Sequence, residues 1–305
     1  MKLSKILSIG CLFVAGSAVA QVLSPEQKKE IYRDSFLDYD NSYDIDSIRN
    51  FQQRLVVDYP PIREADVMWS KRVWREIELK EKINLPLYYP IEPIQDRKSL
   101  IEIIKLSYQE GLIQPFHKFK LPSTQPDDEF TIPIGAGFTD TNLFGYTYKD
   151  YAIDPITNEP TEEIVEVYQP FQTSEVVAYR LKEDWYFDKQ HSQLRVKILG
   201  LQPLFSYLDK GEKQNKFRVG SAWFYFPELR HVLVNYEAFN KGNKTQRLTF
   251  DDIFIKRKFS SHIVKEQNVY DREIDDYKKD PYETLIEGEK IKDEINLFEH
   301  DLWSY

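Results

Sequence analysis

"DVMWSKRVWREIELKEKINLPLYYP", residues 66–90, decides how this chain is read. Apolar Val67, Val73, Trp74 and Ile77 recur at helical spacing with Trp69 beside them, and Lys71, Arg75, Glu78 and Lys82 lie opposite. Glu76–Lys80 and Glu78–Lys82 are acid-before-base pairs at i,i+4, each stabilising a helix by about 0.3 kcal/mol. The stretch therefore predicts an amphipathic helix that ends at Asn84 and "LPLYYP". Its aromatic face has three possible uses: a nucleic-acid stripe, a membrane-surface helix, or a face packed on protein. Composition alone favours the domain's own core, because aromatic stripes at helical spacing are commonly buried.

Working outward, a second helix is expected from Asp96 to Glu110, with Leu100, Ile103, Ile104 and Leu106 apolar and Gly111 closing it. From residue 116 to 235 the pattern changes. "TNLFGYTYKDY", "EVVAYRLKEDWYFD", "SQLRVKILGLQPLF" and "KFRVGSAWFYFPEL" are rich in β-branched and aromatic residues, and "DKQHSQ" between two of them reads as a hairpin turn. After Pro227 the signal is helical or mixed. The chain closes on a charged helix: Asp280 as cap, Pro281 in first position, Glu283 completing a capping box. Ile291, Ile295, Phe298 and Leu302 draw a narrow seam on it. Gly288 weakens its first half by about 1 kcal/mol relative to alanine, so the seam has to dock, preferentially on the chain's own sheet.

The fold class that follows is α+β: N-terminal helices, a central mainly antiparallel β region and C-terminal helices. The expected organisation is a signal peptide at 1–20, an arm at 21–60, and one domain at 61–305. Within that domain, 61–115 reads as helical, 116–235 as strand-rich and 236–305 as mainly helical.

The opening "MKLSKILSIGCLFVAGSAVAQ" has a basic start, an apolar run and a small-residue "AVA" site, so a secretory signal cleaved after Ala20 is expected. Cys11 does not make it a lipoprotein signal, since the apolar run continues past it. The polar arm that follows is expected to be partly helical at "SPEQKKEIYRDSF", with Ser24 as cap and Pro25 at the first position. Cys11 is the only cysteine, so the mature chain has no disulfide and depends on an ordinary core of about 285 residues. The formal charge is −9, and loss of Lys2 and Lys5 with the leader takes it to about −11. That balance argues against nucleic acid and against purely electrostatic binding to anionic lipid.

The sequence carries no recognisable catalytic or metal-binding motif. His117, His191, His231, His262 and His300 stand singly, outside any metal-ligand spacing, and no thiolate remains for a soft zinc site. No G-x-S-x-G or S-x-x-K motif is present. "DYDNSYDID" at 38–46 places Asp38, Asp40 and Ser42 like a calcium loop but has Tyr43 for the turn glycine and Arg49 for the bidentate acid. "GAGFTD" at 135–140 lacks the third glycine of a phosphate loop, and "NKT" at 243–245 is a weak glycosylation match. The basic cluster Lys256, Arg257, Lys258 reads as the charged face of an amphipathic element. No cofactor and no metal are expected.

"DVMWSKRVWREIELKEKINLPLYYP", "WFYFPELRHVLVNYEAFN", "FDDIFIKRKFSSHIVKEQNVYDREIDDY" and "EKIKDEINLFEHDLW" together resemble the GldN family, also called PorN, in order from about residue 60 onward. His231 stands where that family is expected to carry proline. The resemblance implies a non-enzymatic periplasmic subunit of the type IX secretion and gliding machinery. It would join a GldK/PorK-type outer-membrane lipoprotein in a homo-oligomeric ring and contact a GldM/PorM-type motor protein. Its membrane association would be indirect, through the lipoprotein. No catalytic residues are carried over. The partner-interface candidates are then Trp69, Trp74, Trp223, Phe298 and Trp303. From the residues alone, two other classes stay open: an envelope enzyme acting on glycan through paired carboxylates, and a glycan- or peptide-binding module.

Overall fold

A computed structural model describes residues 55–94, 97–118, 129–134, 143–153, 160–208, 216–240 and 247–302. The leader, the arm before residue 55 with its acidic patch, "GAGFTD", "NKT" and Trp303 lie outside the described residues.

The first half of the chain forms β1 (Val67–Glu78), α1 (Leu85–Tyr88), α2 (Leu100–Gln109), β2 (Pro115–Phe116), β3 (Gly145–Ile153) and β4 (Pro160–Pro170). Then come β5 (Val176–Asp188), β6 (Gln193–Leu208), β7 (Lys216–Gly220), β8 (Trp223–Tyr225), α3 (Phe226–Leu233) and β9 (Glu237–Ala238). The chain finishes with β10 (Leu248–Thr249), α4 (Phe250–Ile255), β11 (His262–Glu266), α5 (Ile274–Tyr277) and α6 (Pro281–Leu302). A seven-stranded sheet runs β11-β1-β5-β6-β8-β2, with β7 also on β6, and all its pairs are antiparallel. The fold is α+β, as expected, with helices concentrated toward the C-terminus.

The deciding stretch is a strand, not a helix. β1 lies inside the sheet with β5 on one side and β11 on the other, so its backbone groups find partners across strands. The expected i,i+4 pairs do not form. Glu76 instead accepts from Arg180 of β5 at 2.7 Å, and Glu78 from Arg218 of β7 at 2.7 Å. Arg72 pairs with Asp184 at 2.6 Å in the same cross-strand manner. Residues 73 to 77 are buried on both faces of the pleat, so no polar–apolar alternation marks the strand in the sequence. Tertiary pairing has overridden a helix-like local composition, and the expected helical region 61–115 begins with this strand.

The other helices are closer to expectation. α2 starts at Leu100 rather than Asp96 because Ser99 takes the cap, its Oγ accepting from the Glu102 N–H at 3.4 Å. Gly111 closes α2 with φ of 72°. Its N–H bonds Tyr108 O at 3.0 Å, and Leu112 N–H bonds Ser107 O at 2.9 Å, the paired bonds of a Schellman end. His231 continues α3, and the hairpin turn at 188–193 joins β5 to β6.

Two cores result. The larger brings Ile101 and Ile104 of α2, Leu229 and Leu233 of α3, and Phe254 of α4 onto Leu181, Leu201 and Phe205 of the sheet. Each such side chain contributes about 1.5–3 kcal/mol on burial. The smaller sets Ile291 and Ile295 of α6 on Val73, Ile263 and Ile274. The C-terminal seam thus docks on the chain's own sheet. Asp280 caps α6 by accepting from the Tyr282 N–H at 3.3 Å, while Glu283 reaches Lys278 at 3.4 Å rather than closing a box. Gly288 faces β11: a Cβ there would lie 2.7 Å from the Ile263 carbonyl oxygen, so only glycine lets the helix approach this closely.

Candidate functional site

β1, β5 and β11 bring an unusual number of charged and aromatic side chains into the middle of the sheet. Pairing sets Trp74 beside Lys182 on one neighbour and Lys265 on the other, and their ammonium groups lie 5.6 Å and 4.5 Å from its ring centroid. One step along, Glu76 and Glu273 both hold Arg180, at 2.7 Å and 2.6 Å. Arg218 reaches Glu76 at 3.6 Å as well as Glu78. Near the start of β1, six residues before Arg75, the rings of Trp69 and Phe298 stack at 4.6 Å with planes 22° apart, joined edge-on by Phe187 at 6.3 Å.

Glu183 is fully buried and paired. It accepts from Nη1 and Nη2 of Arg257 at 2.8 Å and 3.2 Å, and from the Trp185 indole N–H at 3.1 Å. Arg257 reaches it from a left-handed backbone position, φ 49°, just past α4. The cluster 256–258 is therefore not one exposed face: Lys256 pairs with Asp252 at 2.6 Å, Arg257 turns inward, and Lys258 is exposed.

The interface candidates separate accordingly. Trp74 and Trp223 are buried in this chain, Trp223 edge-on to Phe130 at 6.2 Å, so neither presents a surface. Trp69 and Phe298 are half-buried and hold α6 to the sheet. Trp303 lies outside the described residues. Sequence reasoning missed Glu183, Trp185 and Arg257 as a unit. The one available signal was the adjacent acids Glu183 and Asp184 set between aromatic and aliphatic residues in "EVVAYRLKEDWYFD".

Glu76, Glu78 and His262 could hold a metal, since one ligand atom of each lies within 4.8 Å of the others. Each carboxylate already carries a guanidinium, however, and a cation would have to displace Arg218 from both. The trio reads as an ion-pair cluster. Among the described residues no helix is long and apolar enough to cross a membrane.

No curated protein matches the chain. The family profile described as gliding motility associated protein GldN matches residues 62–304, which takes in every element from β1 to α6. The chain belongs to the GldN family and is a component of the gliding-motility and type IX secretion apparatus.

Proposed function

We propose that this protein is a non-enzymatic structural subunit that works in the periplasm. It assembles with a GldK/PorK-type lipoprotein into a ring under the outer membrane and contacts the GldM/PorM-type motor protein. Family membership supports the setting, and one observation carries the assembly role. Tyr282, Ile286 and Leu297 fall on the side of α6 away from Ile291 and Ile295, with Leu285 on the flank, and all four are exposed, Tyr282 at 70% and Leu297 at 58%. The outer side of a helix already docked by its inner side gains nothing for folding from being apolar, and this exposure supports a partner surface there. The ion pairs across β1 and β5 support a structural use of those charges, because Glu76, Glu78, Glu183 and Asp184 each have a cation partner.

Co-purification from membranes, with mass identification, tests this. The wild type should bring down the lipoprotein and the motor protein. Leu285→Glu with Leu297→Glu should leave folding intact, since both side chains are exposed, yet lose one or both partners. Recovery of neither partner with the wild type, or of both in full with the double variant, would sink the reading.

A further inference from the structure

Arg75 sits in the middle of β1 with 6% of its surface exposed, and it makes no hydrogen bond or ion pair among the described residues. Its guanidinium carbon lies 5.8 Å from the centroid of the Trp185 ring, and that of Arg257 lies 5.3 Å from the same ring. The carboxylate nearest in charge terms, Glu183, is already taken by both Nη atoms of Arg257 and by the Trp185 N–H. Two guanidinium groups therefore share one carboxylate, and a full positive charge is left over inside the fold. Burial pushes the Arg75 guanidinium below its ordinary value; Glu183 opposes this, Arg257 adds to it, and Glu289 on α6 opposes it. Glu289 itself pairs with Lys292 at 3.0 Å.

A buried cation without a counter-ion is strongly destabilising, and cation–π contact with one indole offsets only part of the loss. An anion that completes the pair recovers that loss on binding. Access is narrow but present: Nε is a fully enclosed unpartnered atom of Arg75, while 6% of the residue's surface stays exposed. A planar fork of this kind matches the two oxygens of a carboxylate. One surplus positive charge suits one negative charge, and a phosphate dianion would face Glu183 and Glu289 at close quarters.

We propose that Arg75 anchors an anion site beside the first half of α6 that takes a single carboxylate, with Trp185 and Arg257 as its walls. The site stands whether or not the chain assembles with partners. Its carboxylate has two possible sources, a small free acid or an acidic side chain of another protein.

Thermal melts of the full chain decide. Sodium acetate and sodium chloride are compared at equal ionic strength, together with the peptide acetyl-Gly-Glu-Gly-amide as a model of a protein side chain. Acetate should raise the wild-type Tm saturably above its value in chloride and leave that of Arg75→Met unmoved. Glu289→Gln, at an exposed helix position, should saturate at a lower acetate concentration, since a competing negative charge is gone. A peptide that saturates below acetate assigns the site to a protein side chain; one that needs as much or more assigns it to a small acid. The proposal is overturned if acetate acts on the wild type no more than chloride does, or acts equally on Arg75→Met. Should that variant fail to fold, the comparison of wild type with Glu289→Gln decides alone, and equal saturation of the two overturns it.

Discussion

Arg230 and Asp251 show how one pair of residues can position a distant segment. Arg230 is buried on α3, and Asp251 on α4 accepts from its Nε at 2.8 Å and its Nη2 at 3.3 Å. The same Nη2 donates to the Val57 carbonyl at 2.6 Å, and the guanidinium lies 4.7 Å from the Tyr59 ring centroid. The strap of chain before β1 is therefore held by a charge whose own burial depends on Asp251. Asp251→Ala should cost about 3–5 kcal/mol, because it leaves Arg230 buried and unpaired. Urea unfolding checks the size, and a loss under 1 kcal/mol would show that the pair is dispensable. None of this is legible in the sequence. With 50 acids in the chain, spacing alone cannot say which meets which arginine.

Among the elements, α6 gives the sharpest test because two effects oppose each other at Gly288. Alanine is better than glycine inside a helix by about 1 kcal/mol, so propensity alone predicts that Gly288→Ala stabilises. The Cβ would meet the Ile263 carbonyl oxygen at 2.7 Å, and backbone cannot swing aside as a flexible side chain does. A lower Tm is expected; a higher one would mean that the helix is not seated on β11 as described. α6 was readable because its signals are local: a cap, a proline and a seam at regular spacing. β1 was not. "MWSKRVWREIE" contains good helix formers and charges at i,i+4, and nothing nearby reveals that Arg180, Asp184 and Arg218 wait on other strands. The hairpin at 188–193 could be read because both its strands and its turn are contiguous. The Glu183–Arg257 pair could not, because its halves are 74 residues apart.

For the whole molecule, carboxylates held by hydrogen bonds set the acid limit. Burial alone would push the Asp252 carboxyl up, but bonds from Lys256 and from the backbone and side chain of Thr249 outweigh it and hold the group below its ordinary value. A depressed folded-state pKa contributes stability that is fully present above the unfolded value, about 3.9, and is lost as pH falls through the lowered one. Asp252→Asn should therefore be less stable than wild type near neutrality and converge with it in acid. Melts from pH 7 down to pH 3 check this, and a constant gap would remove Asp252 from the account. The sheet itself carries a consequence of a different kind. β1 is bordered by β11, so a strand near the start of the domain waits for one that follows almost 200 residues later. Until β11 is delivered, one margin of β1 has no neighbour, and a chain interrupted before residue 262 presents an open template for its own kind. Such fragments should cluster rather than persist singly, and the folding order of this protein is set by the arrival of its last strand.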